Sequence, residues 1–543
     1  MSSTVHYLDT TVFDRPIPRP IVPTVEPKKP SEPSLRSQLG QLAGHRATWV
    51  VLIGVAALAT RLIGLSTAYD IFIDETSYTN IALSVAHGHG VTLYGLPFVL
   101  HPPAGFYLYG LTILGFGLHG GTESTLFALR QLDAVLGAAT CVMTFLLVDR
   151  VARRATAVVA ALLIAVDPLV ISFDSRVMLE APAQLAVVTM FFCVASADLV
   201  KDNKFKRKNL LAVAGLAGGI ALSTKETFGL VVLLSLLVLF AGGWIVTRRE
   251  LFRVTLIALI TYSVSIFADA SHFGLKVWWN AKVIGMLRLI GAYQNSGFNA
   301  PSTHVSIFSR MTADARVFGT TYLLLVAGAC CALGLLWRLE PWYRRRLLRG
   351  DPKRRAAWMC TVWTFAATAY LAYATAFGTI EEQMYYILLL PAVISVCVWA
   401  EALVRYPGRL RNVVVVALAA ALVFDMAVWS SIHNGHDDEY RRLVSWESTH
   451  VAPAAVVSST DGTSQFLLPR GVIGQWSTVS QLKEHHVDYV VLATLLVDQG
   501  YGMADRSFEQ KIERSGHLVF EANGVSDGSL RVYDVRSLTG VSR

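Results

Sequence analysis

Two adjacent acids and a tyrosine follow directly on an apolar run that is long enough to cross a membrane. The stretch YDIFIDETSYTNIALSVAHGHG begins at Tyr69 and contains Asp74, Glu75 and Tyr78. A carboxylate can take a proton from an attacking hydroxyl group, which is the task of a general base. If 73–87 is helical, Asp74 and Tyr78 share a face, whereas Glu75 points about 100° away. We therefore expect only one of the two acids to face a substrate directly.

Further ionisable residues stand where other apolar runs begin or end. His101 precedes two prolines in LHPPAGFYLYG, and Arg130 lies just inside an apolar run in FALRQLDAVLG. Short polar turns hold the other candidates, which are Asp174, Arg176, Glu180, Lys225, Glu226, Glu381 and Glu382. Charges at the edge of a membrane mark functional sites by default. The plain alternatives are snorkelling of Arg130, solvated loop acids, and local salt bridges of Lys225 and Glu226.

The composition indicates a membrane protein. The chain has 543 residues, of which 53% are hydrophobic and 16% charged, against about 25% charged residues in soluble domains. The net charge of +8 does not indicate nucleic-acid binding, because basic residues collect on the cytoplasmic loops of membrane proteins. The six cysteines lie in apolar runs without metal-ligand spacing, which favours a packing role and predicts no structural disulfide.

The apolar runs predict a polytopic all-α membrane protein with about eleven transmembrane helices. A span needs about 20 apolar residues, and the candidates are 48–66, 126–148, 155–172, 183–199, 209–223, 227–247, 252–270, 318–338, 357–377, 384–402 and 412–431. The run FYLYGLTILGFGL at 106–118 is too short for a span and suits an interfacial helix better.

The distribution of basic residues agrees with this count. With 106–118 left out, the basic segments fall on alternate loops, at 45–46, 149–154, 201–208, 248–253, 338–355 and 405–411. The positive-inside rule places these loops in the cytosol. This predicts a plasma-membrane protein with a disordered cytosolic tail over 1–47, a membrane domain over 48–431 and an extracytoplasmic segment over 432–543.

One external loop runs against the charge rule. The loop 271–317 contains five basic residues, which are Lys276, Lys282, Arg288, Arg310 and Arg316. Contact with anionic lipid phosphate is one explanation. An ordinary loop that is nearly long enough to escape the rule is the other.

The segment 432–543 is predicted to be a small α/β domain. AAVVSST and VDYVVLAT are typical of strands, DEYRRLVSWEST and RSFEQKIERSG of helices, and HLVFEANGVSDGSLRVYDV of a terminal hairpin. It contains no catalytic motif, and we expect it to cover the membrane site or to bind an acceptor.

Five stretches in this order resemble one family. FIDETSYTNIALSVAHGHG, LHPPAGFYLYGLTILGFG, FALRQLDAVLGAATCVMTFLLVDRV, DPLVISFDSRVMLEAP and ALSTKETFGL are similar to the protein O-mannosyltransferase and aminoarabinose-transferase branch of the GT-C glycosyltransferases. The resemblance covers roughly 50–250. It implies a polyprenyl-phosphate sugar as donor, a site on the non-cytoplasmic face, and interfacial helices in the first external loop.

The resemblance also assigns roles. Asp74 matches the proposed general base, Glu75 its partner, and Arg130 the arginine at the outer start of the second span. With Arg176 and Lys225, Arg130 is predicted to bind the donor phosphate, and the predicted substrate pocket contains Tyr78, His101, Asp174, Glu180 and Glu226. The chain departs from the family at Glu180, where mannosyltransferases usually have aspartate, and in lacking their extra lumenal domain, which weakens the case for a protein acceptor.

The chemistry agrees with these residues. The leaving polyprenyl phosphate gains charge that arginine can meet with two parallel hydrogen bonds, so a metal is neither required nor excluded, and no cofactor is expected. One base without a nucleophilic carboxylate predicts a single displacement with inversion. The predicted function is sugar transfer to a hydroxyl of a glycan, lipid or protein. The alternatives are a transporter or flippase of lipid-linked sugars and a non-catalytic protein of the same fold.

Overall fold

Long helices build most of the structure. The computed structural model describes residues 45–200, 202–293, 306–337, 351–378, 380–405, 408–498, 503–524 and 528–540. The predicted tail therefore lies almost entirely outside the described residues, as does most of the basic segment 338–355. The helices that correspond to predicted spans are α1 (Arg46–Leu62), α4 (Thr122–Val151), α5 (Arg154–Val166) with α6 (Pro168–Asp174), α7 (Glu180–Leu199), α8 (Lys204–Thr224), α9 (Glu226–Gly242), α10 (Arg248–Phe273), α12 (Ile307–Trp337), α13 (Pro352–Ala376), α14 (Glu382–Val404) and α15 (Arg409–Gly435).

The chain is a multi-pass membrane protein. Within the described residues, six helices are long and apolar enough to cross a bilayer, or seven if α5 and α6 together form one span. A helix lies at every predicted span, but several are shorter or less apolar than this criterion requires. The count of eleven crossings therefore stays a prediction.

The predicted span 155–172 consists of two helices rather than one. α5 and α6 meet at an angle of 62°. Asp167 lies at the break, where its side chain accepts a hydrogen bond from the backbone N–H of Val170, and Pro168 is the first residue of α6. Proline has no N–H to donate within a helix and is favoured at its first position. An Asp-Pro pair therefore starts a new helix in the middle of an apolar run.

The segment between α1 and α4 contains two shorter helices. These are α2 (Ile73–Ala86) and α3 (Ala104–Phe116), separated by a small hairpin of β1 (Thr92–Leu93) and β2 (Leu96–Pro97). α3 has 13 residues, as the run at 106–118 predicts, and packs closely on α2: a Cβ added to Gly110 would lie 2.6 Å from a methyl carbon of Val85. Glycine thus permits the close approach of the two helices.

The predicted basic segments meet at one end of the helix bundle. The backbone N–H of Arg153 donates to Glu401, Nζ of Lys353 donates to the carbonyl of Ala152, and Arg355 pairs with Asp198 at 2.8 Å. These contacts join the ends of α4, α7 and α14 to the starts of α5 and α13. Arg207 donates to the carbonyl of Ala197 and pairs with Glu250, and Arg405 pairs with Glu401. The described basic segments from 149 onwards therefore share one end, as the alternation of loops predicts. The opposite end, which carries α2 and α3, is called the α2 end below.

A mixed five-stranded sheet lies near the C-terminus. It has the order β4-β3-β5-β7-β6, with β3 (Val456–Ser459) parallel to β4 (Val472–Gly474) and β5 (Tyr489–Ala493), and with β7 (Ser529–Asp534) antiparallel to β5 and β6 (His517–Asn523). The helices around it are α16 (Glu439–His450), α17 (Gly462–Leu467), α18 (Val479–Glu484), α19 (Thr494–Asp498), α20 (Arg506–Ser515) and α21 (Arg536–Thr539). The sequence predicts β3, β5, the hairpin of β6 and β7, α16 and α20, and it misses β4 and the short helices α17, α18, α19 and α21.

The sheet region shares its core with the membrane helices. Tyr440, Leu443 and Val457 belong to the same cluster of buried apolar side chains as the helix residues. The first residue of α17 lies on α2, because a Cβ on Gly462 would come within 2.5 Å of Cδ1 of Ile73. The boundary at 431 between two separate domains therefore stays a prediction, and α17 is held next to the acids of α2.

Candidate active site at the α2 end

Glu75 and Arg130 form a buried ion pair. Nε and Nη2 of Arg130 donate to the two carboxylate oxygens of Glu75 at 2.9 and 2.7 Å, and both side chains are fully buried. Glu75 also accepts hydrogen bonds from the backbone N–H groups of Phe72 and Val177 at 3.0 and 2.9 Å. Glu75 therefore ties the start of α2 to α4 and to the turn between α6 and α7.

Arg130 uses all five of its N–H groups within the protein. Besides Glu75, it donates to the backbone carbonyls of Leu65, Tyr69 and Asp70 at 2.8, 3.0 and 3.2 Å. An arginine has five such donors, so none remains for a phosphate. This arrangement excludes simple snorkelling of Arg130, and it disfavours the predicted contact of Arg130 with the donor phosphate. It also makes Glu75 an anchor rather than a residue that faces a substrate.

Asp74 lies on the other face of α2, as the helical spacing predicts. It is partly buried and forms a hydrogen bond with Tyr78. Burial raises the pKa of Asp74 to about 7, with a further rise from the negative charge of Glu381 and a partial offset from Lys225. A carboxyl group whose pKa lies near neutrality is suited to accept a proton at the pH of the cell.

Three helix ends bring polar groups towards Asp74. Lys225, between α8 and α9, pairs with Glu180 at the start of α7 and donates to the side chain of Gln383 at the start of α14. Lys225 is 5% exposed and Glu180 is fully buried. The charge of Lys225 lowers the pKa of Asp74, and the charge of Glu180 raises it. The predicted residues Glu180 and Lys225 are therefore gathered in one cluster with Gln383, which the sequence analysis missed.

His101 lies against the same cluster. Its ring contacts the rings of Tyr78 and Phe98, with ring centres 6.0 Å apart in each case. Burial lowers the pKa of His101 well below its usual value, and the charges of Lys225 and Lys282 lower it further. His101 is therefore neutral at physiological pH, so that it can donate one hydrogen bond and accept another.

Arg176, unlike Arg130, keeps hydrogen-bond donors that no described residue uses. Its guanidinium lies over the rings of Tyr69 and Phe72 at 5.5 and 5.8 Å, and its Nε is 4.0 Å from the carboxylate of Glu75. Its side chain is 16% exposed, and its buried Nε has no hydrogen-bond partner among the described residues. Arg176 therefore presents a cation beside the N-terminus of α2.

Asp174 lies away from this cluster and has other partners. Nε of Arg61 donates to one of its oxygens at 2.8 Å, and the hydroxyl of Tyr386 donates to the other at 2.6 Å. Arg61 and Asp174 are fully buried, so Asp174 is a structural residue rather than a pocket residue. Sequence reasoning missed Arg61, although an arginine at the end of the first apolar run is the kind of signal that could have found it.

Glu226 lies at the edge of the cluster. It pairs with Lys282 on α11 (Leu275–Leu289) at 2.9 Å and accepts a hydrogen bond from Tyr262. Arg288 lies 3.9 Å from Glu381, and Arg310 lies 3.5 Å from Glu382. Three of the five basic residues of the loop 271–317 therefore face acids at the starts of α9 and α14. These three residues therefore have acidic partners within the protein, which neither of the two explanations drawn from the sequence includes.

Metal-ligand geometry is not found in the part of the chain that the structure describes. No group of three or more His, Cys, Asp and Glu side chains there is placed to hold a metal ion. The cluster instead offers one carboxyl group of raised pKa, two cations and a neutral histidine. This set can accept a proton and can bind an anion.

Comparison with known proteins gives the same picture of the fold. Residues 51–290 match the model of the dolichyl-phosphate-mannose-protein mannosyltransferase family. No curated protein sequence matches the chain. ArnT from Cupriavidus metallidurans in the apo state superimposes with a TM-score of 0.54 at 14% identity, covering 91% of this chain and 99% of that one. The same protein bound to undecaprenyl phosphate gives 0.52 at 14% identity, with the same coverage.

An archaeal structure is similar to the same extent. The oligosaccharyltransferase AglB from Archaeoglobus fulgidus, in complex with an inhibitory peptide and a dolichol-phosphate, gives a TM-score of 0.55 at 13% identity, covering 90% of this chain and 74% of that one. The matched segment 51–290 contains α2, α3 and every site residue described above except Arg310, Glu381, Glu382, Gln383 and Tyr386. The resemblance found in the sequence is thus confirmed: this segment matches the mannosyltransferase family, and about nine-tenths of the chain shares the fold of ArnT and AglB.

Proposed function

We propose that the chain transfers a sugar from a polyprenyl-phosphate donor to a hydroxyl acceptor, with Asp74 as the general base. The observation that carries this proposal is the contrast between the two adjacent acids. Glu75 is neutralised by Arg130 within the protein, whereas Asp74 is partly exposed and has a pKa of about 7. Of these two acids, only Asp74 is both open to a substrate and able to exchange a proton near neutral pH.

The reaction is a single displacement. The acceptor oxygen attacks the anomeric carbon while the bond from this carbon to the phosphate oxygen breaks. The acceptor proton passes to Asp74, and the bonding pair leaves with the polyprenyl phosphate. Because no second carboxylate forms a covalent intermediate in this scheme, the configuration at the anomeric carbon is inverted.

Arg176 takes the role of phosphate ligand in this proposal. Its guanidinium lies beside the N-terminus of α2, and its Nε donates no hydrogen bond to any residue that the structure describes. Arginine can bind two phosphate oxygens at once, and a fixed cation stabilises the charge that develops on the leaving group. Lys225 is held by Glu180 and Gln383 and contributes a second positive charge close to Asp74.

The donor is proposed to reach this site from the outer leaflet. The described basic segments from 149 onwards share the end opposite to α2, and the positive-inside rule assigns that end to the cytosol. ArnT and AglB, which share the fold, have been captured with undecaprenyl phosphate and dolichol-phosphate respectively. These structures support a lipid-linked donor, and the comparisons do not favour the alternative of a transporter.

Purified protein in lipid nanodiscs tests this function directly. It is incubated with labelled polyprenyl-phosphate sugars, including hexoses and pentoses, and with an extract of the cell envelope. We expect one donor to be consumed, with one polyprenyl phosphate released for each sugar transferred and with inverted configuration in the product. A variant at the opposite end of the bundle, Lys204→Gln at the exposed start of α8, serves as the control and keeps the turnover. Binding of a donor without any transfer would instead favour the non-catalytic alternative.

A further inference from the structure

α11 leaves the helix bundle in an unusual way. It follows α10 after a single residue, Gly274, whose φ of 91° turns the chain sharply. α10 is long and apolar enough to span a bilayer, and only 17% of its most apolar window is buried within the protein. The chain therefore enters α11 at the point where it leaves the membrane.

Large apolar side chains cover the outer side of α11. Leu275, Trp279 and Met286 in α11 and Ile290 directly after it are 66%, 60%, 56% and 48% exposed, and their spacing places all four within an arc of about 60°. Two further exposed apolar residues, Val277 at 42% and Ile284 at 47%, lie on the other side of the helix. α11 has no fully buried residue. A contiguous apolar surface of this kind needs a partner, since water does not favour it.

The rotation of α11 about its axis is fixed from the protein side. Lys282, at the flank of the stripe, pairs with Glu226 at 2.9 Å and donates to the carbonyl of Leu100 at 3.4 Å. Arg288 projects on the side opposite to the stripe, 3.9 Å from Glu381. These contacts hold the stripe of Leu275, Trp279, Met286 and Ile290 away from the bundle.

We propose that α11 lies on the surface of the bilayer and seats this stripe in the lipid leaflet. Two observations select lipid as the partner. The side of α10 that carries the exposed residues Val264 and Phe267 is apolar, and only the last turn of α10, with the exposed Ser271 and His272, separates it from α11. The exposed polar sector of α11 is narrow and contains Lys276 and Asn280, as in a helix that lies within the interface with one side in water.

This position connects the lipid to the acids near Asp74. The negative charge of Glu381 raises the pKa of Asp74, and Arg288 on α11 is the cation that faces Glu381. If α11 lies in the leaflet as proposed, it holds Arg288 beside Glu381 and at a fixed depth in the bilayer. Tryptophan at the stripe suits this location, because its ring prefers the level of the lipid headgroups.

Accessibility of single introduced cysteines tests the lipid contact, whether or not the chain is a glycosyltransferase. Met286→Cys and Asn280→Cys are both exposed in the structure and lie on different sides of α11. The full-length variants are placed in nanodiscs at one copy per disc and treated with a water-soluble maleimide. The wild type, with its six native cysteines, gives the background.

We expect Met286→Cys to react at least about tenfold more slowly than Asn280→Cys, because a buried thiol cannot form the reactive thiolate. Trp279→Cys, on the same stripe, is the second site and should be protected as well, so that a folding defect of one variant does not decide the result. Equal rates at the stripe and at Asn280→Cys would overturn the proposal. Protection that requires two copies per disc would overturn it in favour of a dimer contact.

Discussion

At the scale of single residues, two neighbouring acids acquire different tasks from their surroundings. The spacing along α2 predicts that Asp74 and Glu75 diverge, and the structure confirms this divergence. The sequence could not predict that all five N–H groups of Arg130 donate hydrogen bonds within the protein. Three of its hydrogen bonds go to backbone carbonyls between Leu65 and Asp70, and their positions depend on a turn that side-chain types do not specify.

The pH dependence of the reaction follows from the pKa of Asp74. Since the pKa is about 7, the carboxyl group is protonated at lower pH and cannot accept the proton of the acceptor. We expect kcat/KM to fall about tenfold per pH unit below this value and to level off above it. Initial rates between about pH 5.5 and 8.5 check the prediction. A profile that is flat over this range would contradict the assignment of Asp74 as the base.

Arg176 and Arg130 should respond differently to truncation. Arg176→Ala removes the proposed phosphate ligand, so polyprenyl phosphate should bind about 2–4 kcal/mol more weakly, with thermal stability nearly unchanged. Arg130→Ala leaves Glu75 buried without its partner and should lower the free energy of unfolding by about 3–5 kcal/mol. Binding titrations and thermal melts of both variants separate the two effects. If Arg176→Ala bound polyprenyl phosphate with normal affinity, another cation would have to be the phosphate ligand.

At the scale of helices, the broken pair of α5 and α6 shapes the turn that carries Arg176. The Asp-Pro pair at Asp167 contains the signal for this break, because it combines a helix-capping residue with proline. Length and hydropathy alone predict one continuous span and do not reveal the break between α5 and α6. The turn is then fastened at Asp174 by Arg61 on α1 and at Val177 by Glu75 on α2. Such contacts between distant segments cannot be inferred from one sequence.

A glycine in α4, Gly137, leaves space for the ion pair of Asp174 and Arg61. A Cβ on Gly137 would lie 2.3 Å from Oδ2 of Asp174 and 2.7 Å from Nε of Arg61. Gly137→Ala should therefore cost about 1–3 kcal/mol of stability through overpacking. Gly115→Ala in α3, where a Cβ meets nothing within 4 Å, is the matched control and should be neutral or slightly stabilising. Equal melting temperatures of the two variants would show that the ion pair adapts freely.

At the scale of the whole molecule, the arrangement of basic segments was the most predictable feature. It depends on composition and on the alternation of loops, both of which the sequence contains. The elements of the sheet region were also predictable, since alternating apolar residues specify strands such as β5. Its packing against the membrane helices was not, because Ile73 and Gly462 meet only after the chain has folded.

Labelling in intact cells tests the proposed orientation. A cysteine at the exposed position Ser124, near the start of α4, should react with an impermeant reagent. One at Asn203, before α8, should react only after the cells are opened. The two positions lie at opposite ends of the bundle, so each is the control for the other. Labelling of Asn203 alone in intact cells would place the α2 end in the cytosol and would reverse the proposed side of catalysis.

The central claim is that Asp74, and not Glu75, removes the proton from the acceptor. Turnover of Asp74→Asn at saturating donor, compared with that of the wild type, tests it most directly. The amide is nearly the same size but cannot take up the proton, so turnover should fall about 10²–10⁴-fold while binding of polyprenyl phosphate persists. Glu75→Gln should mainly lower stability, because it weakens the pair with Arg130. Near-normal turnover of Asp74→Asn, with donor binding intact, would contradict the account.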